Sequence, residues 1–220
     1  MIRHLIFDLD KTVYSESSKM SEGISRRIIG YCANFFNIEF GQAVLDREKA
    51  LQEYETTLSW LKANGLTDEG VEDYFAYVHP ADEVAELNPD PELRPLLESI
   101  KLPKVILTNS PSEHAEHVLR YLGVRDLFNE QISDIRRNNM KGKPYDFSYR
   151  NALEIIGGTV EDTLFLDDWG VYVAGYAALG GTAVQVGSEP LPPDYHHLPG
   201  KIYQIKDIYQ LPALLEKLNG

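Results

Sequence analysis

The chain has 220 residues, of which 43% are apolar and 25% charged, and its formal net charge is -13. That length suits one medium domain, or a core domain carrying a smaller insert, and the composition excludes disordered and fibrous classes. The acidic balance argues against a nucleic-acid partner held on a broad basic surface, because phosphate backbones are bound by clustered Lys and Arg.

An anionic ligand must therefore be small and be met by a local positive site. No apolar run reaches the ~18 residues of a membrane helix, and Met1 leads directly into an apolar strand, so a cytoplasmic protein without a membrane partner is expected. Cys32, the single cysteine, lies among apolar residues and reads as a reduced core thiol. The sequence leaves the oligomeric state open.

Arg3 to Leu9 is rich in Leu, Ile and Phe and reads as a short strand buried on both faces. It runs into Asp8-Leu9-Asp10-Lys11-Thr12, so two carboxylates two residues apart reach its carboxyl end, and strand alternation points both the same way. Like charges that close in a partly dry site repel, and a divalent cation with oxygen ligands is the usual relief. Taken alone, the pair equally fits a strand followed by a polar turn.

From Met20 to Val78 the apolar positions follow helical spacing, as in Ile24, Ile28, Cys32 and Phe35, then Leu51, Tyr54, Leu58 and Leu61. This predicts an inserted helical bundle. The passage Asn88-Pro89-Asp90-Pro91-Glu92 marks the return to the core, since prolines restrict the chain at element boundaries.

Val105 to Thr108 is the next strand, ending in Thr108-Asn109-Ser110, where a hydroxyl and free backbone amides can hold a phosphoryl group or simply cap a helix. Ser110-Pro111-Ser112-Glu113 starts that helix with proline in the first turn, and Gly123 closes it. Gln131-Ile132-Ser133 is a further short strand candidate. Lys143, in Lys141-Gly142-Lys143-Pro144 before a helix beginning near Tyr145, reads by itself as solvated surface.

Thr163 to Leu166 forms a strand that ends in Asp167-Asp168, a second carboxylate pair. Thr182 to Val186 is another strand, and Leu191 to Pro199 is a proline-bearing loop before a last strand at Lys201 to Ile205. His4, His114, His117, His196 and His197 lack metal-ligand spacing and read as surface or core residues.

Strands alternating with helices imply an α/β fold with a doubly wound, mainly parallel sheet and right-handed crossovers. The expected division is a core of residues 1–14 and 88–220 and a helical cap of residues 15–87. Ligands of such sheets bind beyond the carboxyl ends of the strands, where three of the polar motifs lie.

The order Asp8-x-Asp10-x-Thr12, Thr108-Asn109-Ser110, Lys143-Pro144 and Asp167-Asp168 resembles the haloacid dehalogenase superfamily, over Ile2 to about Gly187. Within it the chain is similar to the pyrimidine 5′-nucleotidase group, through Tyr54-Glu55-Thr56-Thr57-Leu58, Tyr77-Val78-His79, Pro89-Asp90-Pro91-Glu92-Leu93, and Leu107 to Ser110 followed by His114-Ala115. The resemblance implies a Rossmann-like core with a cap, and a phosphomonoesterase in which Asp8 attacks phosphorus while Asp10 protonates the leaving oxygen and then activates water. Mg²⁺ would sit between Asp8, the backbone carbonyl of Asp10 and Asp167, with Asp168 as a further ligand or outer acceptor. Lys143, Thr108 and Asn109 would hold the phosphate.

Asp10 also separates the chain from the dehalogenases proper, which displace halide. Its substrate would be a small phosphorylated metabolite, with pyrimidine nucleoside 5′-monophosphates as first candidates. Glu55 and Trp60 stand where the nucleotidase group has glycines, and Trp169 and Tyr172 replace a serine and an asparagine after the Asp pair. Trp60 either stacks on a base or, like Tyr54, Tyr74 and Tyr77, packs between helices. These departures motivate a second class of reading, a phosphate-ligand sensor or partner-binding module on the same fold; a sugar phosphomutase is the third.

Overall fold

The computed structural model describes residues 1–14, 19–88 and 90–220. The chain separates into two compact units, one of Met1–Ser17 with Pro89–Gly220 and one of Ser18–Asn88.

The first unit is built on five parallel strands: β1 (His4–Phe7), β2 (Lys104–Ile106), β3 (Thr163–Asp167), β4 (Thr182–Val186) and β5 (Lys201–Ile205), in the order β2-β1-β3-β4-β5. From β1 the chain steps to one side, returns across β1 to β3, and then continues outward to β4 and β5. With right-handed crossovers that reversal places connections on opposite faces, which makes the sheet doubly wound, and its switch point lies at β1. The strands read as unbroken apolar runs because both faces are covered; Leu5, Ile6 and Phe7, like Leu164, Phe165 and Leu166, are fully buried.

On one face Ile6, Val105, Phe165 and Ala183 pack against Tyr149 and Ala152 of helix α7 (Asp146–Ile156) and against Val173 and Tyr176 of helix α8 (Gly170–Ala178). Three aromatic rings, Tyr149, Phe165 and Tyr176, meet there with centroids 5.3–5.4 Å apart. On the other face Phe7 meets Phe128 edge-on at 5.6 Å. The short strand expected at Gln131–Ser133 is reduced to a single bridge between Leu107 and Ser133, because the chain turns away at Asp134. Pro111 is the N-cap of helix α6 (Ser112–Tyr121), one position before the helix, and not a first-turn residue.

The second unit holds α1 (Met20–Phe36), α2 (Phe40–Ala50), α3 (Thr57–Ala63) and α4 (Asp68–Val78). Its helix starts follow from local chemistry. Thr56 and Ser59 form a capping box at α3, and Thr67 accepts from the Gly70 N–H at α4. Arg27 on α1 pairs with Glu83 at 3.0 Å and Glu86 at 2.9 Å and donates to the Val78 carbonyl, which satisfies the buried Glu83. Trp60 packs on Phe36 with ring centroids 4.7 Å apart, and Tyr74 is buried edge-on against Tyr31, so both act as helix packing.

Candidate active site

Strand register brings the two acidic motifs together. Phe7 of β1 pairs with Leu166 of β3, so the next residues, Asp8 and Asp167, leave adjacent strands at the same level, and the Asp8 N–H still donates to the Leu166 carbonyl at 2.8 Å. On the other side of β1, Phe7 pairs with Ile106, which sets Leu107 and then Thr108 beside the same strand end. Side chains at matching positions of parallel neighbours face the same way.

Lys143 joins the pair. Its ammonium donates to Asp8 Oδ1 at 2.7 Å and to Asp167 Oδ2 at 2.5 Å, with all three residues buried. The expectation that Lys143 alone would read as solvated surface is therefore corrected: it is 2% exposed. The backbone of Lys143 is held by one side chain, since Asn109 accepts from its N–H at 2.7 Å and donates to its carbonyl at 3.0 Å. Gly142 makes the approach possible. Its φ is +64°, and a Cβ there would lie 2.1 Å from Asn109 Oδ1.

The Asn109 amide also donates to the Tyr172 hydroxyl at 3.1 Å, while the Lys143 ammonium lies 4.9 Å from the Tyr172 ring centroid. The Asn109 side chain, expected to help hold phosphate, is engaged with the Lys143 backbone and the Tyr172 hydroxyl. Thr108 is buried, and its Oγ1 accepts from the Ser110 N–H at 3.0 Å. The Ser112 N–H is bound to Asp134 Oδ2. Two of the amides expected to meet an anion at this helix start are thus engaged locally.

The charge balance at the site is uneven. Carboxylate oxygens of Asp8, Asp167 and Asp168 all lie within 4.8 Å of one another. Burial raises the pKa of Asp8 and raises that of Asp167 well above the usual carboxylate range, in spite of Lys143. Burial, and then the charge of Asp8, pushes Asp168 up to about 7. Burial acts against the charge on Lys143, yet Asp167 and Asp8 outweigh it and hold the ammonium protonated. One ammonium against three crowded carboxylates leaves negative charge in excess, and an all-oxygen donor set with excess negative charge fits a hard divalent cation. The Trp169 N–H, at the start of α8, donates to Asp167 Oδ1 at 2.9 Å and fixes that carboxylate further.

Asp10 is held by a separate set of partners. Its Oδ1 accepts from the Tyr14 hydroxyl at 2.6 Å and lies 2.8 Å from His114 Nε2, and its Oδ2 accepts from Ser110 Oγ at 3.2 Å. Its charge contributes to raising the pKa of Asp8, after burial. Sequence reading grouped His114 with scattered core and surface histidines and gave Tyr14 no role. The available signal was spacing: Tyr14 lies four residues after Asp10, and His114 sits in the first turn of the helix that follows Thr108-Asn109-Ser110. His196 and His197 are exposed, and His4 pairs with Asp162 at 3.3 Å.

Beside Asp168, but not reaching Asp8, a cleft of about 970 Å³ is lined by Lys11, Tyr14, Trp169 and Tyr209 among others. Trp169 is exposed, with its ring 4.9 Å from that of Tyr172. Among the described residues, no helix is long and apolar enough to cross a membrane.

A model of the haloacid dehalogenase-like hydrolase family matches residues 2–180. The chain is 30% identical over 134 residues to "Phosphate metabolism protein 8" of Saccharomyces cerevisiae, a match covering 56% of this chain but only 40% of that protein. Among solved structures, a HAD phosphatase from Thermococcus onnurineus superposes with a TM-score of 0.65 at 18% identity, covering 97% of this chain and 98% of that one. The L-2-haloacid dehalogenase of Xanthobacter autotrophicus superposes with a TM-score of 0.61 at 17% identity, covering 98% and 99%. Identities this low speak to the fold alone.

Proposed function

Because the chain belongs to the haloacid dehalogenase-like hydrolases, we propose that it is a phosphomonoesterase acting through an aspartyl-phosphate on Asp8. The observation that carries this reading is the second carboxyl group, Asp10, held beside the nucleophile by Tyr14, Ser110 and His114. A halide leaves without a proton, whereas an alkoxide leaving group needs one, so a carboxyl group placed to give a proton to the leaving group favours ester cleavage.

In the first half-reaction an Asp8 oxygen bonds to phosphorus as the bond to the ester oxygen breaks, and the protonated Asp10 gives its proton to that oxygen. In the second, the ionised Asp10 takes a proton from water as the water oxygen bonds to phosphorus, and the Asp8–phosphorus bond breaks to return the carboxylate and inorganic phosphate. Lys143 holds one oxygen of Asp8, orients the other for attack and offsets charge on the transferring group. Asp8, Asp167 and Asp168, with the Asp10 backbone carbonyl, would hold a divalent cation, for which Mg²⁺ is the first choice, and when bound it would neutralise phosphate charge.

The substrate class is a small phosphorylated metabolite, since the formal charge of -13 gives no broad surface for a polyanion. Pyrimidine nucleoside 5′-monophosphates are the first candidates, on the nucleotidase-like motifs. The test is phosphate release from an aryl phosphate with and without Mg²⁺, alongside halide release from a 2-haloacid. Mg²⁺-dependent phosphate release that is lost in Asp8→Asn supports the reading; halide release without phosphate release refutes it.

A further inference from the structure

We propose that His114 is a positioning residue for Asp10: together with Tyr14 it anchors one carboxyl oxygen, Oδ1, and thereby assigns the proton-transfer work to the other, Oδ2. The inference rests on the phosphomonoesterase reading of the same site and deepens it.

Asp10 lies past the end of β1, on a turn in which Lys11 has a φ of +61°, and its side chain is 26% exposed. No strand or helix restrains its carboxyl group there, and the terminal torsion of an aspartate is broad, so its two oxygens exchange readily unless something distinguishes them. The neighbours do distinguish them. Oδ1 receives the Tyr14 hydroxyl at 2.6 Å and, with the ring proton of His114 on Nε2, a second donor at 2.8 Å. Oδ2 has the Ser110 hydroxyl at 3.2 Å, a longer contact from a group that can rotate to accept instead of donate.

Two short bonds hold Oδ1 in place, and in this arrangement Oδ2 is the oxygen that carries and delivers a proton. His114 is suited to this duty because it is fully buried on the apolar side of α6, beside Ala115 and Val118, where an imidazole must be hydrogen-bonded to be tolerated. Tyr14 is 5% exposed and comes from the chain segment that carries Asp10 itself. The anchor therefore ties the β1 turn to α6, two parts of the core unit a hundred residues apart in sequence.

Misplacing a general acid penalises esters with poor leaving groups and spares those whose leaving group departs unaided. The experiment compares kcat/KM, which reports on transfer to Asp8, for phenyl, 4-nitrophenyl and 2,4-dinitrophenyl phosphate with Mg²⁺ in the wild type and in His114→Ala, His114→Gln and Tyr14→Phe. His114→Ala is expected to lose about tenfold or more on phenyl phosphate and less than about threefold on the dinitrophenyl ester, a fraction of what general acid catalysis supplies. His114→Gln, which keeps an N–H donor at similar reach, restores most of the loss. Tyr14→Phe, a change that removes only a hydroxyl, reproduces the leaving-group dependence if His114→Ala does not fold. Equal losses across the three esters in both Ala and Phe variants, or no loss, overturn the inference while leaving the phosphatase reading intact; a wild type that cleaves none of the esters overturns both.

Discussion

Tyr172 bears on Lys143 in two ways, its ring lying 4.9 Å from the Lys143 ammonium and its hydroxyl accepting from the Asn109 amide. Asn109 in turn grips the Lys143 backbone, so ring and hydroxyl act on the same lysine by separate routes. Replacing Tyr172 with Phe should keep the ring contact and cost little, whereas Tyr172→Leu should lower kcat/KM by about 2- to 30-fold, the range of a partly desolvated cation–π contact. Steady-state kinetics on one aryl phosphate checks both variants.

Gly142 is the position in this loop that admits no side chain. Gly142→Ala places a methyl group against Asn109 Oδ1 and forces alanine into a left-handed conformation, each of which disfavours the native loop. The expected cost is about 1–3 kcal/mol from the backbone alone, with activity falling further than stability because Lys143 moves. Urea denaturation followed beside phosphate release would show whether the two losses separate in this way.

Removing the ammonium should be worse for the fold than removing a carboxylate beside it. Lys143→Met leaves Asp8 and Asp167 buried without their cation, a loss of about 3–5 kcal/mol for a broken buried pair. The double variant Lys143→Met/Asp167→Asn should be more stable than Lys143→Met, since one of the two stranded charges is gone. Equal midpoints in urea for the single and double variants would contradict the charge balance described for the site.

Asp168 gives the metal-free protein a definite pH dependence. Its folded pKa of about 7 lies above the unfolded value, so between these two the folded chain binds more protons and its stability falls as pH rises. In chelator, Asp168→Asn should therefore be more stable than the wild type at pH 8, with the gap closing by about pH 4, near the unfolded carboxylate pKa. Mg²⁺ should raise the wild-type Tm more at pH 8 than at pH 5, where protons compete for the carboxylates. Thermal melts at these pH values, with and without the ion, read out both effects.

Cys32 is buried on α1, and burial pushes its thiol up to about 11. It should resist alkylation at pH 8 in the native protein and react at an ordinary rate in urea. The raised pKa also means that stability is fully present below the unfolded thiol pKa and is lost as pH rises toward 11.

The fold and most of the acidic site were legible because they rest on signals local in sequence. Unbroken apolar runs such as Leu5 to Phe7 and Leu164 to Leu166 announce buried parallel strands, and Asp8 and Asp167 directly follow or end them. The contacts of Lys143, His114 and Tyr172 were less accessible from the residues themselves. A lysine in a Gly-Lys-Pro turn and a histidine in a helix look alike whether solvated or buried, and only the pairing of β1 with β3 and the approach of α6 decide between these. The Asn109 side chain was hard to read for the same reason: its bonds run to the backbone of Lys143, 34 residues away, a partner that no local pattern announces.

The pairing of Phe7 with Leu166 sets a rule for which length changes this protein can tolerate. Deleting one residue inside β1 or β3 would turn Asp8 or Asp167 to the opposite side of the sheet, and no rotamer change could bring it back. The same deletion between Leu191 and Gly200, ahead of β5, alters no pairing that carries an acidic group. Indels should therefore be excluded from the two central strands far more strictly than amino-acid replacements are, and should accumulate in the segment before the outermost one.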